Sequence, residues 1–143
     1  MSELDQGTLS KMVKLAMTAR DNAYCPYSNH PVGAALLSDT GVIYAGCNVE
    51  SANYAGCCAE NSAIAAMNTA GERVIKAVVV SGPGADYLCT PCGACRQRLR
   101  EFAQPETPIY SLWKDGSVGK VSTMDALLPD SFGPEHLDEV NAK

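Results

Sequence analysis

Apolar and polar positions follow two different periods along this chain, and the switches between them divide it into helices and strands. Over residues 8–23 the apolar side chains Leu9, Met12, Val13, Ala16 and Ala19 share one face at helical spacing, which predicts an amphipathic helix. Pro26 and Pro31 then interrupt regular structure. Residues 32–38 and 42–48 predict two strands joined by a turn at Asp39-Thr40-Gly41. Residues 49–57 are mostly small and polar, with Gly56 near their end, and predict a loop. Residues 58–70 are alanine-rich and closed by Gly71, the pattern of a second helix.

Residues 75–80 form an apolar, β-branched run interrupted only by Lys76, which predicts a largely buried parallel strand. A loop over residues 81–90 contains Gly82, Pro83 and Gly84, and residues 93–102 predict a third helix. A strand over 108–113, a turn at Lys114-Asp115-Gly116 and a weaker strand over 118–122 follow. Short helices are expected to begin at Thr123 and Pro134. Strands alternating with helices imply an α/β fold, a three-layer α/β/α sandwich around a mixed central sheet of about five strands. No repeat, low-complexity tract or linker divides the chain, so residues 1–143 are expected to form a single domain.

Composition narrows the function. Hydrophobic residues make up 46% and charged residues 19%, an ordinary globular balance. No apolar stretch approaches the roughly 20 residues of a membrane span. The start, Met1-Ser2-Glu3-Leu4-Asp5, is acidic and lacks the basic-then-apolar layout of a signal peptide. A net charge of −5 without a basic stripe argues against a polynucleotide partner and for a small, weakly charged substrate. Seven cysteines is an odd number, and they cluster instead of spreading as a disulfide framework. Metal binding in a reducing compartment, the cytoplasm, is the expectation.

The chemistry concentrates in two segments. Cys58-Ala59-Glu60 is followed 34 residues after its cysteine by Pro91-Cys92-Gly93-Ala94-Cys95. Three thiolates leave a tetrahedral Zn²⁺ one open position, which a catalytic zinc needs for water. Glu60 stands close enough to handle that water's protons without being a ligand. The order ligand-x-Glu then Pro-Cys-x-x-Cys resembles the signature of zinc deaminases. Both segments fall at predicted helix N-termini, where partial positive charge lowers thiol pKa values. Cys25, Cys47, Cys57 and Cys89 are expected to be small buried hydrophobes.

Further segments carry a family resemblance: Tyr24-Cys25-Pro26-Tyr27-Ser28, Val32-Gly33-Ala34-Ala35, Cys47-Asn48-Val49-Glu50, Arg96-Gln97 after the second cysteine pair, Leu127-Leu128-Pro129 and Ser131-Phe132-Gly133-Pro134. Together with the zinc motif, over residues 13–137, the chain resembles the short, homotetrameric, three-cysteine cytidine deaminases. The resemblance implies hydrolytic deamination of cytidine and 2′-deoxycytidine to uridine and 2′-deoxyuridine. It implies one Zn²⁺ per subunit on Cys58, Cys92 and Cys95, a zinc-bound hydroxide, and Glu60 as proton shuttle. Asn48 and Glu50 then match ribose-binding residues, and the Ala59 N–H matches a pyrimidine contact. Phe132 matches a residue that reaches a neighbouring subunit's site, although a cap on its own core is the alternative. Tyr54 is expected near the same interface.

The chain departs from the family pattern in three places. Asn61 replaces an arginine that offsets the thiolates' charge, which leaves Arg96 as a candidate for that role. His30 replaces a phenylalanine that packs on the base. Ser51, with Ala52-Asn53-Tyr54, replaces the asparagine after Asn-x-Glu. The alternatives are a deaminase of a modified cytidine or blasticidin S-type nucleoside, and a structural zinc module. The latter needs a fourth ligand, with Cys57, Cys89, His30 and His136 as candidates.

Overall fold

The computed structural model describes residues 4–141; the first three residues of the acidic N-terminus lie outside them. The order of elements is α1 (Gln6–Asp21), β1 (Gly33–Ser38), β2 (Ile43–Cys47), α2 (Ala59–Thr69), β3 (Ile75–Ser81), α3 (Gly93–Arg100), β4 (Pro108–Leu112), β5 (Val118–Thr123), α4 (Met124–Leu127) and α5 (Pro134–Asn141). Helix α1 starts earlier than its apolar stripe suggests because Asp5 caps it, accepting from the Thr8 N–H at 3.2 Å. Helix α2 ends where Gly71 takes φ +90°.

The five strands run in the order β2-β1-β3-β4-β5. Strand β3 lies at the centre, antiparallel to β1 and parallel to β4, so the sheet is mixed. As the apolar run predicts, only Lys76 of β3 reaches solvent.

Strand alternation builds two cores. Ala34, Leu36, Val78 and Val80 point to one face, where Ala63 and Met67 of α2 and Leu99 of α3 meet them. Ala35, Ala77 and Val79 point to the other, where Met12 and Ala16 of α1 cover them. Helices on both faces make three layers, as expected from the sequence. Among the described residues, no helix is long and apolar enough to cross a membrane.

Helix α2 approaches β2 very closely. A Cβ on Gly46 would sit 2.4 Å from the Ala63 nitrogen and 2.8 Å from the Ala59 oxygen. Gly46→Ala is therefore expected to destabilise the fold by about 1–3 kcal/mol, the cost of overpacking a tight contact. A urea titration reads this directly, and an unchanged midpoint would contradict the close approach.

Candidate metal centre and active site

Helices α2 and α3 begin side by side. Cys58 is the N-cap of α2 (φ −72°, ψ 156°) and Cys92 the N-cap of α3 (φ −67°, ψ 166°). Neither side chain caps its own helix, so both sulfurs are available to another partner. Cys95, in the first turn of α3, is buried. The sulfurs of Cys58, Cys92 and Cys95 all lie within 4.8 Å of one another, and Cys58 Sγ is 4.0 Å from Cys92 Sγ. Tetrahedral zinc with Zn–S bonds of about 2.3 Å needs sulfurs about 3.8 Å apart, so the cluster has close to the required size.

Burial overrides the lowering expected from the helix N-termini at two of the three thiols. Burial, with the charge of Glu60 adding to it, pushes the Cys95 thiol well above the usual range, and burial also raises Cys58. Burial acts upward on Cys92 too, but hydrogen bonds from the Cys95 backbone and from the side chains of Cys95 and Cys58 outweigh it and lower that thiol. Three sulfurs this close cannot all ionise unless a cation lies among them. A divalent, thiophilic ion is what this donor set suits.

Glu60 is buried, at 4% exposure, in the first turn of α2. Burial raises its carboxyl above the ordinary range, against the pull of its own backbone, the Cys95 thiol and the charge of Arg98. A carboxyl in such surroundings holds a proton readily and is suited to general acid–base work. A cavity of about 390 Å³ opens over this floor; Ala59, Asn48, Glu50 and His30 also line it. Ala59 is the first residue of α2, where backbone N–H groups have no partner within the helix. An adjoining cavity of about 450 Å³ shares Asn48, Glu50 and Cys58 and extends to Tyr27 and Tyr54.

Residues 49–57, expected as a plain loop, close on themselves. Val49 and Cys57 exchange backbone hydrogen bonds of 2.9 and 2.8 Å, and Tyr24 pairs beside Val49. This brings Glu50 against the next turn, where its Oε1 accepts from the Tyr27 N–H at 3.0 Å and the Ser28 N–H at 3.1 Å. Hydrogen bonds from the Ser28 side chain and backbone, then from Tyr27, hold the Glu50 carboxyl below its ordinary value. Asn48 accepts from the Val32 N–H and donates to the His30 carbonyl, both at 2.9 Å. Its amide retains one donor and one acceptor capacity beyond these. The part played by Tyr27 and Ser28 left no separate trace in the sequence beyond the Tyr24–Ser28 match.

Other expectations are corrected. Cys25, Cys47, Cys57 and Cys89 are not fully buried; each is partly exposed. Cys47 ends the edge strand β2 and the other three lie in connecting segments, which run over the surface. Cys57 accepts from the Asn61 amide at 3.3 Å, so Asn61 serves Cys57 and not the cluster. Arg96 is engaged elsewhere as well: it donates to the carbonyls of Pro91 and Leu127 at 2.7 and 2.9 Å and to Thr90 Oγ1 at 3.2 Å. It braces the turn entering α3. Phe132 does not cap its own core. The residue is 58% exposed, and its ring stacks on His136 with centroids 5.1 Å apart. Gln97 and Arg100 of α3 hold the segment beneath it, Gln97 Nε2 donating to the Phe132 carbonyl at 2.9 Å and Arg100 Nε to Ser131 Oγ at 2.8 Å.

Among the described residues, no fourth Cys, His, Asp or Glu joins the three-sulfur group. Cys57 is taken by Asn61, Cys89 faces His30, and His136 is bonded to Gly133. Structural zinc sites close all four positions with protein ligands; three sulfurs that leave the fourth position open, with a buried carboxyl in the same pocket, define a catalytic zinc enzyme of the deaminase class.

Residues 6–111 match the family model described as the cytidine and deoxycytidylate deaminase zinc-binding region. The chain belongs to that family. It is 40% identical over 134 residues to a cytidine deaminase of Sporosarcina psychrophila, covering 90% of this chain and 94% of that one. The solved cytidine deaminase of Burkholderia pseudomallei matches with a TM-score of 0.79 at 39% identity, over 86% of this chain and 98% of that one. The cytidine deaminase structure from Mycobacterium tuberculosis matches with a TM-score of 0.77 at 33% identity, over 92% and 99%.

Proposed function

We propose that this chain hydrolyses cytidine and 2′-deoxycytidine to uridine and 2′-deoxyuridine, releasing ammonia. The observation that supports it most is the carboxyl of Glu60, nearly sealed from solvent at the floor of a nucleoside-sized cavity and next to three clustered thiols. Cys58, Cys92 and Cys95 are the metal ligands in this reading, with one Zn²⁺ per subunit. Zinc held there supplies a Lewis acid that brings water into the range where it loses a proton near neutral pH.

Glu60 is the catalytic residue. It takes a proton from the attacking water and gives it to ring N3, which makes C4 electrophilic. The water oxygen bonds to C4. Glu60 then carries the second proton to the exocyclic nitrogen, the C4–N bond breaks, and ammonia leaves. The first-turn N–H of Ala59 is free to meet the pyrimidine. Asn48 and Glu50 are the ribose-binding pair: an amide with spare capacity and an ionised carboxylate suit a hydroxyl that both donates and accepts. His30 stands at the base.

Residues 1–143 act as one domain. The assembly in this reading is a homotetramer in the cytoplasm, in which the exposed Phe132 completes a neighbour's site. A modified cytidine is the second reading, favoured by the polar His30 where the family places a phenylalanine. Ultraviolet absorbance of the zinc-loaded protein with cytidine, deoxycytidine and base-modified cytidines distinguishes these. Loss of the cytidine spectrum with stoichiometric ammonia is expected. Turnover of modified nucleosides alone would overturn the first reading.

A further inference from the structure

The loop after β3 presses two side chains onto His30. Tyr87 stacks on the imidazole, with centroids 6.2 Å apart and planes 18° apart, and its hydroxyl lies 3.4 Å from Nδ1. Cys89 Sγ lies 3.9 Å from Nε2. Both ring nitrogens therefore have a partner from one loop, and the third constraint is an offset, near-parallel ring contact.

Two glycines make this possible. A Cβ on Gly84 would meet the Tyr87 carbonyl oxygen at 2.3 Å and its ring at 3.1 Å. A Cβ on Gly82 would meet the Cys89 Cβ at 2.3 Å. The loop doubles back on itself at both points, and only residues without side chains leave room for it. His30 and Cys89 both line the cavity above Glu60, whereas Tyr87 stands outside it, half exposed.

We propose that Tyr87 and Cys89 are positioning residues that act through His30: they fix its ring as a wall of the base pocket, so that the base enters against a pre-set surface. This rests on the reading of His30 as a base-facing residue. Fixing one ring orientation removes a conformational cost from each binding event. The loop therefore governs how well the nucleoside is held more than how fast the held nucleoside reacts.

The test is a double-mutant cycle on the zinc-loaded enzyme with cytidine. Tyr87→Ala is expected to raise KM about tenfold with kcat within about twofold of wild type, equivalent to a lost aromatic contact plus its hydrogen bond. Tyr87→Phe, which keeps the stack and removes only the hydroxyl, is expected to fall between the two. In a His30→Phe background, Tyr87→Ala is expected to change KM by less than about twofold, because the group it acts through is gone. An equal effect in both backgrounds, or a loss confined to kcat, would overturn the proposal. His30→Ala with an unchanged KM would instead remove the underlying reading of His30. Should Tyr87→Ala unfold, Tyr87→Leu, which keeps bulk but removes ring and hydroxyl, gives the same decision through the same cycle.

Discussion

Glu60→Gln is expected to lower kcat for cytidine by about a hundred- to ten-thousand-fold, the range a positioned general acid–base contributes. Glutamine has the same shape and remains polar, so it occupies the same buried place without moving a proton. Zinc content is expected to stay at one per subunit, because Glu60 lies outside the three-sulfur group. Thermal stability should hold or rise slightly, since a carboxyl that is 4% exposed is desolvated more heavily than an amide when ionised. Steady-state kinetics beside metal analysis and a melting curve decide the matter. A variant that loses activity together with its zinc would mean that Glu60 holds the metal and not the proton.

Cys95→Ser is expected to have the second large effect. Cys95 is fully buried in the first turn of α3, and burial, joined by the charge of Glu60, holds its thiol well above the ordinary range. Its replacement should drop zinc from one per subunit toward none and abolish turnover. Stability should fall too: an ion at about a thousand times its Kd contributes about 4 kcal/mol, and each kcal/mol moves Tm by about 2–4 °C in a domain of this size. A fall in Tm on the order of 10 °C is therefore expected, and a strong chelator acting on the wild type should reproduce it. Full activity and zinc in Cys95→Ser would break the proposed ligand set.

The sequence made some of this legible and hid the rest, for identifiable reasons. Strand β3 declared itself because a buried central strand must be apolar on both faces, and its one polar residue, Lys76, is the one that reaches solvent. Cys58, Cys92 and Cys95 were visible because metal ligation demands particular atoms at particular spacings. The closure of residues 49–57 was hidden, because it is made by backbone hydrogen bonds between Val49 and Cys57 that any side chains could accompany. The roles of Asn61 and Arg96 were hidden for a different reason. Both are polar, and a polar residue's partner depends on which carbonyl or sulfur the fold brings within 3 Å or so, a long-range fact. Phe132 and the four remaining cysteines show that an apolar residue type does not decide its own burial.

Gly46 has a meaning beyond the stability of the sheet. At Gly46 nothing but hydrogen separates β2 from the backbone of α2, and α2 carries Cys58 and Glu60, while Cys92 and Cys95 ride on α3. Hydrogen in place of a methyl group therefore acts as a gauge block: it helps set how far one half of the proposed metal-binding and proton-moving apparatus stands from the other. A thicker residue would shift the two halves relative to each other, even in a protein that still folds, and displacements near 1 Å in such constellations can cost about a hundredfold in rate. The tolerance of the chemistry is thus machined into a strand residue that touches neither the metal nor the substrate.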